Sequence, residues 1–217
     1  MEMNLKVRHR ILAVLAALIL CSRCLATHGQ TRTEAWELPD SPASHYAPMT
    51  PHERWDDYVH DNFAQPGAFF RTFFSALGDQ TGNVPAKWGQ GADKFPIHFG
   101  SELARFTIGG SIKSATAAAL REDTRYHACA CSNPVRRTFH AMSRTVLTYD
   151  RNGKTTVDIA GLAGLYSGPM IMTAWYPNNY TALGYGVRQG NIAAEINTGI
   201  DLIREFGPDL KRTFTHR

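Results

Sequence analysis

Apolar residues recur at helical spacing in the chain from residue 51 onward. Trp55, Val59 and Phe63 follow one another at intervals of four residues, which places their side chains on one face of an α-helix. Pro51 suits the first turn of this helix, with Thr50 as its N-terminal cap. The pattern predicts a helix whose apolar stripe faces the protein interior.

Four later segments show the same periodicity. The first is rich in phenylalanine, the second is apolar on nearly all sides, and the last carries an isoleucine stripe that ends at a Gly-Pro pair, a strong stop signal. These patterns predict helices that pack around a common core. The segments run through residues 68–77, 99–119, 135–146 and 191–206, and the isoleucine stripe consists of Ile192, Ile196, Ile200 and Ile203.

Residues 145–159 support two interpretations. The apolar spacing of the preceding segment continues through Val146, which favours a helix, a turn and a second helix. The same residues form two β-branched runs on either side of a turn at 150–153, the composition of a short β-hairpin. We expect the helical form and keep the hairpin as the alternative.

Residues 159–176 contain no charged side chain, and this length is at the lower limit for crossing a bilayer. Gly164 and Gly168 are four residues apart, a spacing that lets helices approach closely in membranes and in protein cores alike. Pro169 and the preceding Asp158 argue against a membrane span. The segment predicts either contact with lipid or burial between other helices.

The first 26 residues have the layout of a secretory signal peptide. Basic side chains precede the apolar run 11–20, small residues follow it, and Ala26 offers a suitable cleavage site. Lipidation of Cys21 or Cys24 is an alternative that the large residues before them disfavour. Residues 27–50 hold three prolines and almost no apolar periodicity, which predicts a flexible tether.

The composition is that of a folded protein, because 43% of the residues are hydrophobic and 11% are aromatic. We therefore expect a signal peptide at 1–26, a tether at 27–50 and a single helical domain at 51–217. The predicted fold class is all-α, a bundle of about five helices with glycine-rich helix contacts and a possible short β-hairpin near 145–159.

The net charge of +4 comes mostly from the signal peptide. Its four basic residues and one acid account for three of these charges, so the rest of the chain is near +1. A nearly neutral domain lacks the basic surface that nucleic acids require. We expect no nucleic-acid partner, and a membrane or an envelope protein remains a candidate.

His127, Cys129 and Cys131 form the most concentrated set of metal-binding side chains. Two thiolates and an imidazole suit zinc or copper, although a structural zinc site would need a fourth ligand, for which His140 is the candidate. The cysteines could instead form a small disulfide in an oxidising compartment. Short Cys and His matches arise easily, which favours a third interpretation, ordinary thiols in a surface loop.

His52, Asp56 and His60 lie four residues apart, so they stack along one face of the first predicted helix. Such a row can bind a metal ion. It also matches the solvated face that any amphipathic helix presents, and we favour this second interpretation.

The glycine-rich stretch 184–190 is similar to a phosphate-binding loop before a helix. A dinucleotide site also needs a buried strand before the loop and a βαβ unit around it, and the sequence pattern has neither. Close packing between helices is therefore the better explanation of these glycines. The sequence also lacks a G-x-S-x-G elbow, an H-E-x-x-H pair and a P-loop, so we assign no catalytic residue and no cofactor.

Five motifs occur in order: E-R-W at 53–55, W-G-Q-G-A at 88–92, R-E-D-T-R-Y at 121–126, S-R-T-V-L-T-Y-D-R-N-G-K at 143–154 and I-R-E-F-G-P-D-L at 203–210. Through them the chain resembles a group of exported proteins of soil bacteria such as acidobacteria, over most of the residues after the signal peptide. The resemblance implies a periplasmic or envelope location. It transfers no catalytic residue, since the group has no assigned activity, and the cysteine stretch is not part of the shared pattern.

The sequence thus predicts an exported helical protein of the periplasm or envelope with a non-catalytic role, associated with the membrane if residues 159–176 contact lipid. The alternative is a periplasmic metal or redox binder that uses the segment His127 to Cys131.

Overall fold

The computed structural model describes residues 46–177 and 179–215, and this part of the chain is mostly helical. The predicted all-α fold with a short hairpin is confirmed. Six α-helices and one antiparallel pair of strands are found in these residues. They are α1 (Pro51–Val59), α2 (Pro66–Thr81), α3 (Phe95–Leu120), α4 (Pro134–Ser143), β1 (Leu147–Tyr149), β2 (Thr155–Val157), α5 (Ile159–Met172) and α6 (Ala182–Thr215).

Capping residues and prolines set the beginnings of α1 and α2. The hydroxyl of Thr50 accepts a hydrogen bond from the backbone N–H of Glu53 at 3.2 Å, and the Glu53 carboxylate accepts one from the backbone N–H of Thr50 at 2.7 Å. Two free donors of the first turn are thereby satisfied. After Val59 the chain continues as a π-helical turn over His60–Ala64, and Pro66 begins α2.

Glycines bring α3 and α5 into direct backbone contact. A Cβ atom added to Gly164 would lie 2.6 Å from the carbonyl oxygen of Gly109, and one added to Gly168 would lie 2.7 Å from that of Arg105. Only a residue without a side chain fits at these distances. The four longest helices are neighbours in the order α2, α3, α5, α6, while α1 packs against α3 and α4 against α6.

The hairpin interpretation of residues 145–159 is confirmed, and the preferred helix–turn–helix prediction is wrong. β1 and β2 pair with Thr148 opposite Thr156. The carboxylate of Asp150 accepts hydrogen bonds from the backbone N–H groups of Asn152 at 2.8 Å and Lys154 at 2.9 Å. These local bonds stabilise the turn, so they outweigh the apolar spacing that indicated a continued helix.

Helix α6 extends beyond both ends of the predicted helix at 191–206. It begins at Ala182 and continues through the Gly-Pro pair that was expected to end it. Proline removes one backbone hydrogen bond from a helix. The guanidinium of Arg137 in α4 donates to the backbone carbonyl of Glu205, so α4 holds α6 one turn before the proline.

An aromatic cluster forms the apolar core near the junction of α5 and α6. Met172, Tyr176 and Tyr185 are buried there. The rings of Trp88 and Tyr180 lie 5.0 and 5.2 Å from the ring of Tyr176, separations at which aromatic pairs attract. The tyrosine hydroxyl groups connect this cluster to polar side chains of the interior.

Residues 46–50, at the end of the predicted tether, pack on the helical domain. Met49 is buried, and the carbonyl oxygen of Ala47 accepts a hydrogen bond from Arg125 at 2.8 Å. The ring of Tyr46 lies 6.3 Å from that of Tyr149. The folded part therefore extends before the predicted boundary at residue 51. The predicted signal peptide and residues 27–45 of the predicted tether lie outside the described residues.

Candidate functional site

Apart from the aromatic cluster around Tyr176, the interior of the described residues is rich in charged side chains. No leucine, isoleucine, valine or phenylalanine among the described residues is buried, although these residue types are usually found inside soluble proteins. Buried charged residues occur instead: Glu102, Arg105, Glu122, Asp123, Arg144, Asp201 and Glu205. Small residues, a few tyrosines and methionines, and hydrogen-bonded charges therefore fill the space between the helices.

Large apolar side chains lie on the outside of all six helices. Ile203 in α6 is 69% exposed and Phe74 in α2 is 63% exposed. Other members of these outer faces are Trp55, Phe63, Phe69, Phe70, Ile97, Leu103, Val135, Phe139, Met142, Ile159, Ile171, Ile192, Ile196 and Leu210. We call these exposed apolar side chains the outer faces.

The apolar stripes that the periodicity placed toward the interior belong to the outer faces, and that prediction is wrong. Trp55 in α1 is 62% exposed and Ile196 in α6 is 57% exposed. The buried side of α6 holds Gly186, Gly190 and Glu205. Periodicity shows that a helix has two different faces, and here the face with small and charged residues packs against the other helices.

Glu205 is the centre of one buried polar cluster. Its carboxylate accepts hydrogen bonds from the Tyr126 hydroxyl at 2.8 Å, the backbone N–H of Cys129 at 3.1 Å and Nε of Arg137 at 3.0 Å. Nδ1 of His140 lies 3.6 Å away. Burial opposes ionisation of Glu205, but these donors outweigh it and lower the pKa of the carboxyl. The cluster ties α4 and the cysteine loop to α6.

Asp123 is the centre of a second cluster, beside the hairpin. Its carboxylate accepts hydrogen bonds from Nε of Arg125 at 2.9 Å and is 3.1 Å from Nε2 of His127. Burial opposes ionisation, yet the hydrogen bonds from His127 and Arg125 hold the pKa of Asp123 well below its usual range. The backbone N–H of Asp123 donates to the carbonyl of Tyr149 at 2.9 Å, which fixes the hairpin to the segment after α3.

The third cluster brings two carboxyl groups together with one arginine. Nε of Arg105 donates to both carboxylate oxygens of Glu102, at 3.1 and 2.9 Å. Asp79 comes from α2 and accepts a hydrogen bond from the Tyr176 hydroxyl at 3.1 Å. Burial and the negative charge of Glu102 raise the pKa of Asp79 to about 7. This cluster therefore contains a group that changes its charge near neutral pH.

Sequence patterns reveal these clusters only in part, because many of their members are distant along the chain. Tyr126 and Glu205 are 79 residues apart. Two pairings are local: Glu102 and Arg105 lie three residues apart on one helix and can pair there, and Asp123 is followed by Arg125 and His127 within four residues. The net charge of a stretch of sequence does not show whether its charged side chains are buried.

Cys129 and Cys131 are joined in a disulfide, so the favoured interpretation of this segment, ordinary thiols in a surface loop, is wrong, and the disulfide alternative describes it. His127 interacts with Asp123, and His140 is buried beside Glu205. Two sulfur atoms that are bonded to each other offer no thiolate to a metal ion. The predicted metal set of His127, Cys129 and Cys131 therefore stays a prediction for the reduced protein.

The structure only partly brings together the second predicted metal row. Nδ1 of His52 lies 3.4 Å from the Asp56 carboxylate, whereas Nδ1 of His60 lies 3.6 Å from Asp61. The side chains of His52 and His60 are exposed, so this row also stays a prediction. In residues 46–177 and 179–215, no group of three or more His, Cys, Asp or Glu side chains is arranged to hold a metal ion.

The glycine-rich stretch 184–190 lies within α6 and serves helix packing. A Cβ atom added to Gly186 would collide with the side chain of Met170, and one added to Gly190 would collide with the ring of Tyr166. Both neighbours belong to α5. The described helices include none with the combined length and apolar character needed to cross a membrane.

The polar clusters and the outer faces are the features from which a function has to be inferred. No family model, curated protein or solved structure matches this chain. The feature that bears on function is therefore the contrast between the buried charged side chains and the exposed apolar side chains.

Proposed function

We propose that this chain is an exported protein of the cell envelope with a non-catalytic, membrane-associated role, in which the outer faces of its helices contact lipid. One observation carries the proposal. Among the described residues, leucine, isoleucine, valine and phenylalanine are never buried, while large apolar side chains are exposed on all six helices. Water is an unfavourable surrounding for so much apolar surface.

The way the helices contact one another supports a lipid surrounding. In a bilayer, apolar side chains gain little by leaving lipid for a protein interior, so helices associate through small residues and buried polar groups. Gly109, Gly164 and Gly168 make such contacts between α3 and α5. Arg105, which pairs with Glu102 on the same helix, also donates to the Ser75 hydroxyl of α2 at 3.0 Å and adds the polar kind of contact.

The distribution of the outer faces favours lipid over one protein partner. A stable protein interface covers a single patch, about 800 Å² on each partner. Exposed apolar side chains here occur on every helix, for example Phe70 on α2, Val135 on α4 and Ile203 on α6. A lipid surface can contact several of these helices at once.

Membrane association is tested by fractionating cells that express the full chain and by floating the purified protein with vesicles of envelope lipids. We expect the chain to stay with membranes in a carbonate wash and to rise with the vesicles. A variant with Ile192→Gln, Ile196→Gln and Ile203→Gln loses apolar contacts of α6 and should rise less. Glu195→Gln, an exposed polar change on the same helix, is the matched control.

A chain that stays monomeric in water without detergent and does not rise with vesicles would overturn the proposal. A soluble oligomer of fixed size would also overturn it, because the outer faces would then be covered by copies of the protein. Export is tested separately, by locating the chain in the periplasmic or membrane fraction and sequencing its N-terminus.

A second candidate function, binding by a redox-sensitive dithiol, is favoured by the disulfide between Cys129 and Cys131. Its reduction would produce two thiols near His127, a donor set that suits Zn²⁺. We expect two free thiols per chain and bound zinc only after treatment with a reductant. Elemental analysis of the reduced protein checks this, and a metal-free reduced protein would eliminate the candidate.

A further inference from the structure

A groove of about 700 Å³ lies between α1 and the second half of α3, a volume typical of small-molecule sites. Aromatic side chains of α1 form one wall, and small side chains of α3 form the other. These residues are Trp55, Tyr58, Ser111, Ser114, Ala115 and Ala118. The Tyr58 hydroxyl lies 3.0 Å from Oγ of Ser111, which holds the aromatic wall in place.

Three arginines line the groove, and the guanidinium groups of two of them have no partner in the described part of the chain. Arg54 donates to the backbone carbonyls of Ala117 at 3.3 Å and Glu122 at 2.8 Å, so it neutralises the negative end of α3. The side chains of Arg121 and Arg151 form neither a hydrogen bond nor an ion pair within residues 46–177 and 179–215. Among those residues, none that lines the groove carries a carboxylate. The groove is therefore apolar along its walls and positively charged at these two arginines.

Arg121 also occupies an unusual backbone position. It follows α3 with φ of 59°, the left-handed conformation that usually selects glycine at the end of a helix. A side chain there costs conformational energy. Helix termination by itself would favour glycine, so the presence of an arginine is consistent with a use for its charge.

We propose that this groove binds a single-chain amphiphile with a carboxylate head, such as a long-chain fatty acid. The guanidinium groups of Arg121 and Arg151 bind the carboxylate, because a planar guanidinium matches a carboxylate in charge and geometry. The acyl chain lies between the aromatic wall of α1 and the small residues of α3. The groove thus takes an anion with an apolar tail. Trp55 belongs both to this groove and to the outer faces, but the two arginines take no part in those faces, so recognition of the carboxylate does not depend on their contact with lipid.

Equilibrium dialysis of radiolabelled dodecanoate against the purified full chain in a non-ionic detergent tests the site. We expect saturable binding of one dodecanoate per chain. Dodecanol lacks the charge, acetate lacks the tail and dodecyltrimethylammonium has the opposite charge, so each should compete at least about tenfold more weakly. Equal competition by dodecanol, or binding that does not saturate, would mean partitioning into apolar surface and would overturn the proposal.

Variants separate binding from folding. Arg121→Gly suits the backbone conformation and should fold well, yet it should weaken dodecanoate binding about tenfold, as should Arg151→Gln. Ala118→Phe is an exposed change that fills the groove and should abolish binding. Arg136→Gln removes an exposed arginine of α4 and serves as the control. Unchanged binding in the first three variants, or an equal loss in the control, would overturn the proposal. A dimer that Ala118→Phe dissociates, without dodecanoate binding, would assign the groove to a second copy of the chain and overturn it as well.

Discussion

The contact between α3 and α5 and the outward face of α6 follow opposite rules. At the contact, Gly109 and Gly164 bring the backbones so close that an added Cβ would lie within 2.7 Å of a carbonyl oxygen. On the outward face, Ile196 and Ile203 are 57% and 69% exposed. A soluble protein would bury such isoleucines. Close backbone contact and paired charges therefore hold the fold together, while the large apolar side chains remain available to the surroundings of the protein.

The largest expected effect is the loss of a buried charge from the interior. Glu205→Ala removes the buried carboxylate that accepts from Nε of Arg137, the Tyr126 hydroxyl and the backbone N–H of Cys129, so we expect the free energy of unfolding to fall by about 3–5 kcal/mol. Urea unfolding in a non-ionic detergent, followed by circular dichroism, measures it. Glu195→Ala on the exposed side of α6 is the control, with a change within about 0.5 kcal/mol. Similar values for both variants would contradict the role of the buried cluster.

The next largest effect on stability is expected at the contact between Gly164 of α5 and the backbone of α3. Gly164→Ala places a methyl group against the backbone of α3, and overpacking of this kind costs about 1–3 kcal/mol. The same change at Gly100, also in a helix, meets no atom within 4 Å and should stabilise the helix by about 0.5–1 kcal/mol. The two variants are compared by thermal unfolding under identical conditions. Changes of the same sign would show that the contact is not as close as described.

The third effect depends on pH. The pKa of Asp79 is raised to about 7, against about 4 in an unfolded chain, so the folded state holds the proton more tightly. The contribution of this group to stability is therefore present at low pH and lost as pH rises from about 4 to about 7. The side chain of Asp79→Asn cannot ionise, so this variant should not lose stability over that pH range.

We expect Asp79→Asn to be more stable than the original chain at pH 8 by about 1–2 kcal/mol, with a smaller difference at pH 5. Urea unfolding at the two pH values measures it. The exposed change Glu195→Gln should leave the pH dependence as it was. Parallel pH profiles for Asp79→Asn and the original chain would refute the raised pKa.

The smallest effect on stability is expected on the outer faces. Ile196→Gln changes a side chain that is more than half exposed, so the free energy of unfolding should change by less than about 0.5 kcal/mol in detergent. Vesicle flotation should nevertheless decrease, since apolar contact with lipid is lost. A large loss of stability without a change in flotation would show that Ile196 stabilises the fold and does not contact lipid.

Local features of the fold are predictable from the sequence. Thr50 and Pro51 predict where α1 begins, because capping and proline geometry act within one turn. The hairpin is less predictable, since the spacing through Val146 competes with the turn residues around Asp150. Helix α6 continues beyond Gly207-Pro208 although this pair is a local stop signal, and the contact of Arg137 with the Glu205 backbone shows that α4 packs on α6 at this point.

The polar clusters are less predictable than the helices. The segment from His127 to Cys131 is recognisable by its residue types, but the sequence left its state open and the structure joins Cys129 to Cys131. Asp79, Asp123 and Glu205 do not differ from ordinary surface acids in any local pattern. The partners of Asp79 and Glu205 come from other elements, and only the packing of the helices brings them together. Asp123 has its partners Arg125 and His127 close by in the chain, yet nothing local shows that it is buried.

Periodicity, caps and prolines act over a few residues, so the helical class and the positions of most helices follow from the sequence. For α1, α4 and α6 the sequence also shows two unlike faces. Which of these faces is buried depends on packing between distant segments. Glycines such as Gly164 allow a close backbone approach that bulky residues prevent, and charges such as Glu205 can be buried only with partners from distant segments. Consequently the apolar stripes became the outside of the protein.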